Sequence, residues 1–406
     1  MERPCHWRKA FHLIWVDMRL GVIGWFWVAF MLGCVDQDAA PVNQEIAFLL
    51  NDSTQAVFPI ILKNSVFELQ NGGEVMSLNP INDTTYLVPV FGGSWVVHPD
   101  KSLGIWTDSL RSSDYHVDFQ IQPKTPRNNR GELPNGTWDI WFGEKGADQQ
   151  AEGQLDLKIE EGVLRGTIRT PTGDYRFFSG SFTDGSLHMQ TYDGAHLYCI
   201  QALLRDNQWV DGHFYSGNHY HTTWSAVSAA PWITDDVVQI VEVTQNDLRF
   251  NSFNVQGELQ PVSLVPDSNQ VVVVDLLGTW CPNCMDEVRL LREIKDNHPH
   301  VRIVSVAYER DTLPSDVFRR LAFYEAQLDI DWEVYWGGRA SKSVAAATFP
   351  FLDEVISFPT TLFIYPNGTI AIHSGFNGPA TGSAYEAEHE RFTHLVHTGL
   401  SFQIDP

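Results

Sequence analysis

Cys281 and Cys284, three positions apart, stand where an apolar run meets a helical pattern. Residues 271–274 are an unbroken valine run, which reads as a buried strand of the parallel type, and residues 276–280 lead from it into Cys281-Pro282-Asn283-Cys284. Beyond the pair, Val288, Leu290, Leu291 and Ile294 recur at helical spacing among Glu287, Arg289, Arg292 and Lys295, until His298-Pro299 ends the pattern. A thiol at the start of a helix meets backbone N–H groups that lack intrahelical partners, together with the positive end of the helix dipole. Both favour a thiolate at Cys281. Cys284, one turn on, can attack a mixed disulfide formed at Cys281 and release the bound partner. Pro282 fits because the first turn needs no donor from it. The expected chemistry is dithiol–disulfide exchange. No second Cys-x-x-Cys and no Cys/His pair completes a zinc site, so no metal is expected at the cysteines.

The elements that must position these thiols follow in order. Residues 301–306 read as the next strand, 315–327 as a helix, and 361–365 as a strand closed by the Pro366-Asn367-Gly368 turn; residues 385–400 read as a final helix. The alternation predicts an α/β layer fold of about 165 residues. Upstream, residues 45–224 are punctuated by turn signals between short alternating runs. Leu155, Leu157 and Ile159 have the period of a half-buried strand, and turns are expected at Gly162, Thr172-Gly173-Asp174, Asp184-Gly185, Asp193-Gly194 and Asp211-Gly212. This predicts an all-β domain, a sandwich or barrel, with a subdivision near the Pro- and Asn-rich segment 123–134. His219 and His221 are placed on one face of a strand near His213, as part of a polar and aromatic sheet face rather than a metal site. Cys199, in an apolar run, is read as a small buried hydrophobe.

Composition narrows the partners. Asp and Glu outnumber Lys and Arg 50 to 27 in 406 residues, a net charge of −23, which argues against a chain that neutralises nucleic-acid phosphates. Five cysteines are too few for a disulfide scaffold, so each is read by position. Residues 20–32 are apolar and uncharged, too short to span a bilayer, and lie between Arg19 and Gly33-Cys34. Met31-Leu32-Gly33-Cys34 resembles the lipobox of bacterial lipoproteins, which implies a diacylated Cys34 as the mature amino terminus. Residues 1–34 are therefore expected to be a signal, with translation starting at Met18, and 35–44 a tether.

Trp280-Cys281-Pro282-Asn283-Cys284, with Phe358-Pro359-Thr360-Thr361 downstream, resembles the thioredoxin fold. More narrowly, Cys281-x-x-Cys284-x-x-Glu287, a helical insertion before the proline and the preceding lipobox resemble the TlpA/ResA-like thiol-disulfide oxidoreductases of the redoxin (AhpC/TSA) superfamily. The resemblance covers about residues 245–402. It implies a multidomain chain with a β-rich accessory domain at 45–232 and a thioredoxin-like domain at 233–406. It assigns Cys281 as nucleophile, Cys284 as the resolving thiol and Pro359 as a cis-proline that leaves the backbone at Phe358 free for a substrate strand, with Trp280 beside it. Asp275 matches the buried acid of thioredoxin, and a buried carboxylate there could take the proton of Cys284; Glu287 could do the same. The implied function is an envelope disulfide reductase. It would need no cofactor beyond its redox disulfide, act on protein thiols and disulfides, and draw electrons from a membrane-associated donor. A thioredoxin-like peroxidase and a ligand-binding lipoprotein with an accessory redox module are the alternatives.

Overall fold

A strand that alternates buried and exposed side chains forms a wall with one apolar face, and antiparallel walls of this kind close readily into barrels. In the segment His116–Pro123, Val117, Phe119 and Ile121 point inward while His116, Asp118 and Gln120 point out. The computed structural model describes residues 44–397, apart from 109, 112–113, 127–128, 148, 233–237 and 268–269. Eight consecutive antiparallel strands, from Gln44–Leu49 to His116–Pro123, close a first barrel by pairing the first strand with the last. A second antiparallel sheet runs from Gly136–Phe142 to Tyr220–Ala229. Strand Gly153–Glu160 pairs there with both Gly136–Phe142 and Val163–Thr170, so this sheet too closes on itself. The all-β region is thus built of barrels rather than a sandwich.

The two barrels share a core. Phe48, Trp95, Trp106 and Phe119 fill the first, and Tyr192 of the second enters among them, its ring 5.2 Å from Phe48 and 5.0 Å from Trp106. The Tyr192 hydroxyl accepts a hydrogen bond from Trp95 Nε1 at 3.1 Å, so the polar tips of these two rings meet where the apolar bodies pack. Cys199 is buried in this same cluster, as a small hydrophobe would be.

Two details of the β region differ from the sequence reading. Asp211-Gly212 is no turn: it lies inside strand Gln208–Ser216 at a break in register, where Asp211 takes φ 52°. A bulge uses the same left-handed backbone as a turn, so the dipeptide signals both, and the hairpin turn falls at Asp206-Asn207 instead. His219 and His221 do not share a face. His219 sits in the turn before strand Tyr220–Ala229 against Tyr115, while His221 meets His213 at 3.0 Å across neighbouring strands.

The third sheet has eight strands. At its centre Val271–Leu277, buried along its whole length, runs parallel to Val301–Glu309 and antiparallel to Thr360–Ile364; Glu333–Arg339 continues the parallel side. Four helices accompany it: α1 (Pro282–Asn297), α2 (Pro314–Leu328), α3 (Lys342–Thr348) and α4 (Ser383–His397). Strand Glu333–Arg339 and the flanking hairpins escaped the periodicity argument because their exposed outer positions carry no regular apolar alternation. The expected signal at 1–34, with Cys34, the expected tether as far as residue 43, and the end of the final helix at 398–400 lie outside the described residues, while Gln44, the last residue of the expected tether, opens the first strand. Among the described residues, no helix is long and apolar enough to cross a membrane.

Candidate active site

The centre of the sheet delivers its strand directly into the cysteine pair. Strand Val271–Leu277 ends, Gly278 to Trp280 turn, and Cys281 becomes the N-cap of α1 with extended backbone, φ −105° and ψ 114°. Its Sγ accepts a hydrogen bond from Cys284 N at 3.2 Å, taking the place a serine or aspartate oxygen takes in an ordinary N-cap. On the other side, Cys281 Sγ lies 3.5 Å from the carbonyl oxygen of Phe358, and the Phe358–Pro359 peptide bond is cis. Cys281, Cys284 and Cys199 are all free thiols. Cys281 is 6% exposed and Cys284 fully buried. Burial, reinforced by Cys281 and by the charge of Asp275, pushes the Cys284 thiol well above its ordinary value.

Two carboxyls lie below the thiols. Asp275, on the central strand, accepts from Ser305 Oγ at 3.2 Å, and that hydroxyl in turn accepts from Trp332 Nε1 at 3.0 Å. Glu287, one turn into α1 beyond Cys284, accepts from Thr361 Oγ1 at 2.6 Å and is buried, not solvated as a first-turn glutamate would usually be. Burial raises Asp275 to about 7 and drives Glu287 well above the carboxylate range, the latter also through the charge of Asp275. Each carboxyl acts on the titration of the other. Asp275 Oδ1 and Glu287 Oε2 are buried without a hydrogen-bond partner, and one proton shared between the carboxyls would supply both. The arrangement places a group that can gain or lose a proton near neutrality beside a buried thiol.

The loop carrying Trp280 is held by residues that the sequence reading did not single out. Thr279 N and Oγ1 donate to the Glu309 carboxylate at 2.9 and 2.8 Å, while Arg320 of α2 donates to Thr279 Oγ1 and O at 2.9 and 2.8 Å. Trp280 Nε1 donates to Tyr308 O at 2.9 Å, its ring meets Phe358 edge-on at 6.0 Å, and Arg310 lies 4.4 Å above it. The run Tyr308-Glu309-Arg310, at the end of a strand parallel to the cysteine-bearing one, was the available signal.

Both barrels reach this centre. Gly173 takes φ 141°, and a Cβ there would lie 1.8 Å from the Asn283 side chain, so only glycine lets the second barrel approach the residue between the cysteines. With its amide oriented to satisfy both contacts, Asn283 accepts from Asp174 N at 3.0 Å and donates to Asp174 O at 3.1 Å. Arg176, buried, forms ion pairs with Asp286 of α1 and with Glu74 of the first barrel. Among the described residues, no group of three or more His, Cys, Asp or Glu side chains is arranged to hold a metal ion.

Solved structures that resemble part of this chain include thiol-disulfide oxidoreductases. A secreted Mycobacterium tuberculosis disulfide oxidoreductase, described as homologous to Escherichia coli DsbE, is 16% identical, with 38% of this chain and 99% of that one covered and a TM-score of 0.29. A thioredoxin-family thiol:disulfide interchange protein from Chlorobium tepidum is 17% identical over 41% of this chain and 100% of that one, at a TM-score of 0.29. A thiol-disulfide oxidoreductase from Bacteroides fragilis is 16% identical over 36% and 96%, at 0.26. No family model and no curated protein matches the chain.

Proposed function

We propose that this chain is a thiol-disulfide oxidoreductase, with a thioredoxin-like redox module around the third sheet, and that it works as a disulfide reductase. The observation that carries the reading is Cys281 Sγ at the N-cap of α1, hydrogen-bonded by Cys284 N, with Cys284 buried beside the Asp275–Glu287 pair. In the forward reaction the Cys281 thiolate attacks one sulfur of a substrate disulfide. The substrate S–S bond breaks, and its first thiolate leaves and takes up a proton. Asp275, in its ionised form and paired with Glu287, accepts the proton of Cys284, whose thiolate then attacks Cys281 Sγ. The mixed disulfide breaks, the second substrate thiolate departs, and Cys281 and Cys284 are left as a disulfide. Two electrons have moved to the substrate, and a dithiol donor must return them. The carbonyl of Phe358 beside Sγ is the edge on which a substrate strand would pair. Trp280 would flank that strand.

Cys284→Ser should trap substrate on Cys281 as a mixed disulfide, and Cys281→Ser should abolish reduction of insulin disulfides. Retained turnover in Cys281→Ser would overturn the assignment. We place the protein in the bacterial cell envelope, tethered through a lipidated Cys34, with protein thiols and disulfides as substrates and a membrane-associated electron donor. Cys34→Ser should move the protein to the soluble envelope fraction and leave insulin reduction in vitro unchanged; continued membrane association would refute lipidation as the anchor.

A further inference from the structure

A nucleophilic thiol that serves protein disulfides must be open to in-line approach by a sulfur, yet Cys281 is 6% exposed. The apolar cluster that encloses it draws on both barrels as well as on the third sheet and its helices. Val90 and Phe91 of the first barrel are 5% and 1% exposed and belong to the same apolar cluster as Cys281, Cys284 and Met285. They form the tip of the 88–93 connection between strands Thr85–Leu87 and Ser94–Val97. A barrel by itself has no use for Val90-Phe91 at a loop tip, where they would face water.

The connection is held against the redox sheet by α2. Gln327 Oε1 accepts from Val90 N at 3.3 Å, and Arg320 Nη1 donates to Phe91 O at 2.6 Å. The same Arg320 binds Thr279, two positions before Cys281, so one side chain grips both the cover and the loop that presents the thiol. The tip itself is strained. Phe91 N donates to Pro89 O at 2.7 Å around Val90, which takes φ 64°, a left-handed conformation that a β-branched side chain resists. Such strain persists only where surrounding contacts impose it: here the turn's own hydrogen bonds, the packing of Val88 and Phe91 on Gly194 of the second barrel, α2 and the cysteine cluster.

We propose that the 88–93 connection is a built-in lid over the dithiol, closed in the resting protein, and that it must leave Cys281 before a protein disulfide can reach Sγ. The lid rests on the reading of Cys281 as the reacting thiol, but its test does not require turnover. In the reduced full-length protein, iodoacetamide alkylates Cys281 as the thiolate displaces iodide to form a thioether, and peptide mass spectrometry reads each cysteine separately. Phe91→Ala should speed alkylation of Cys281 at least tenfold, and Gln327→Ala, a change at an exposed side chain, severalfold. Cys199, buried in the barrel core, should stay unlabelled throughout and so shows that the fold is intact. If Phe91→Ala exposes Cys199, the Gln327→Ala result decides. Rates within twofold of the native protein, with Cys199 protected, would overturn the lid. Failure of insulin reduction alongside accelerated labelling would instead sink the redox function and leave the lid standing.

Discussion

A carboxyl buried beneath a dithiol and coupled to a second carboxyl titrates far from its aqueous range, and that links rate and stability through one proton. Burial raises Asp275 to about 7, so it can accept the Cys284 proton only as pH climbs through neutrality. The resolving step should therefore accelerate between pH 6 and 8, and Asp275→Asn should slow it at least tenfold and flatten that rise; rapid-quench trapping of the mixed disulfide measures both. Stability runs the other way. A carboxyl with a raised folded-state pKa stabilises fully below its unfolded value near 4, and this contribution is lost as pH rises through about 7. Asp275→Asn should thus gain stability over the native protein at pH 8 relative to pH 5, by a few kcal/mol at most, in paired melting curves. Burial holds the Cys284 thiol well above its ordinary value, whereas Cys281 Sγ is hydrogen-bonded and slightly exposed. Cys281 should consequently be alkylated before Cys284 near pH 7; the reverse order would exchange nucleophile and resolving thiol.

At the scale of elements, one hydroxyl joins the strand-to-helix junction to a buried carboxylate and a guanidinium at once. Thr279 Oγ1 donates to Glu309 and accepts from Arg320, adding to the bonds that Thr279 N and O make with the same two groups. Thr279→Val keeps the shape and removes the relay. It should cost about 1–3 kcal/mol, since a charged donor and a carboxylate lose a buried partner. Thr279→Ser, which keeps the hydroxyl, should cost about 1 kcal/mol or less. Urea unfolding midpoints distinguish the two, and equal losses would mean that the methyl packing matters and the relay does not. Helix α1 itself is decided locally: Pro282 at its first turn, the N-cap at Cys281 and the buried row Val288, Leu291 and Ile294 are all properties of one segment. Its other face is not, because Asp286 is committed to an arginine 110 positions away.

Across the whole molecule, Arg176 ties both barrels to α1. It lies in the second barrel and pairs with Glu74 of the first and Asp286 of α1, while Asp174 accepts from Gly378 N at 2.5 Å. Arg176→Met would leave Asp286 with Arg289 alone and take the guanidinium from Glu74, a loss of up to about 3–5 kcal/mol when one partner of a buried ion pair is removed. It should also let the barrels part from the third sheet, read as faster proteolysis just after strand Tyr220–Ala229; an unchanged melting temperature would refute this role. The redox pair and its surroundings divide along the same line. Cys281 to Cys284 at a strand–helix junction and the turn-punctuated β region are legible in the sequence, because cap chemistry, alternation and turn residues act over a few neighbouring positions, whereas Asp275 and Pro359 stand out only through the resemblance to the thioredoxin fold. Barrel closure, the burial of Glu287, the Glu309–Thr279–Arg320 relay, the approach of Gly173 to Asn283 and the cover by Val90 and Phe91 were decided only by the tertiary structure. Each joins side chains far apart in the chain, and a charge or an apolar tip shows in the sequence that it needs a partner without showing which one.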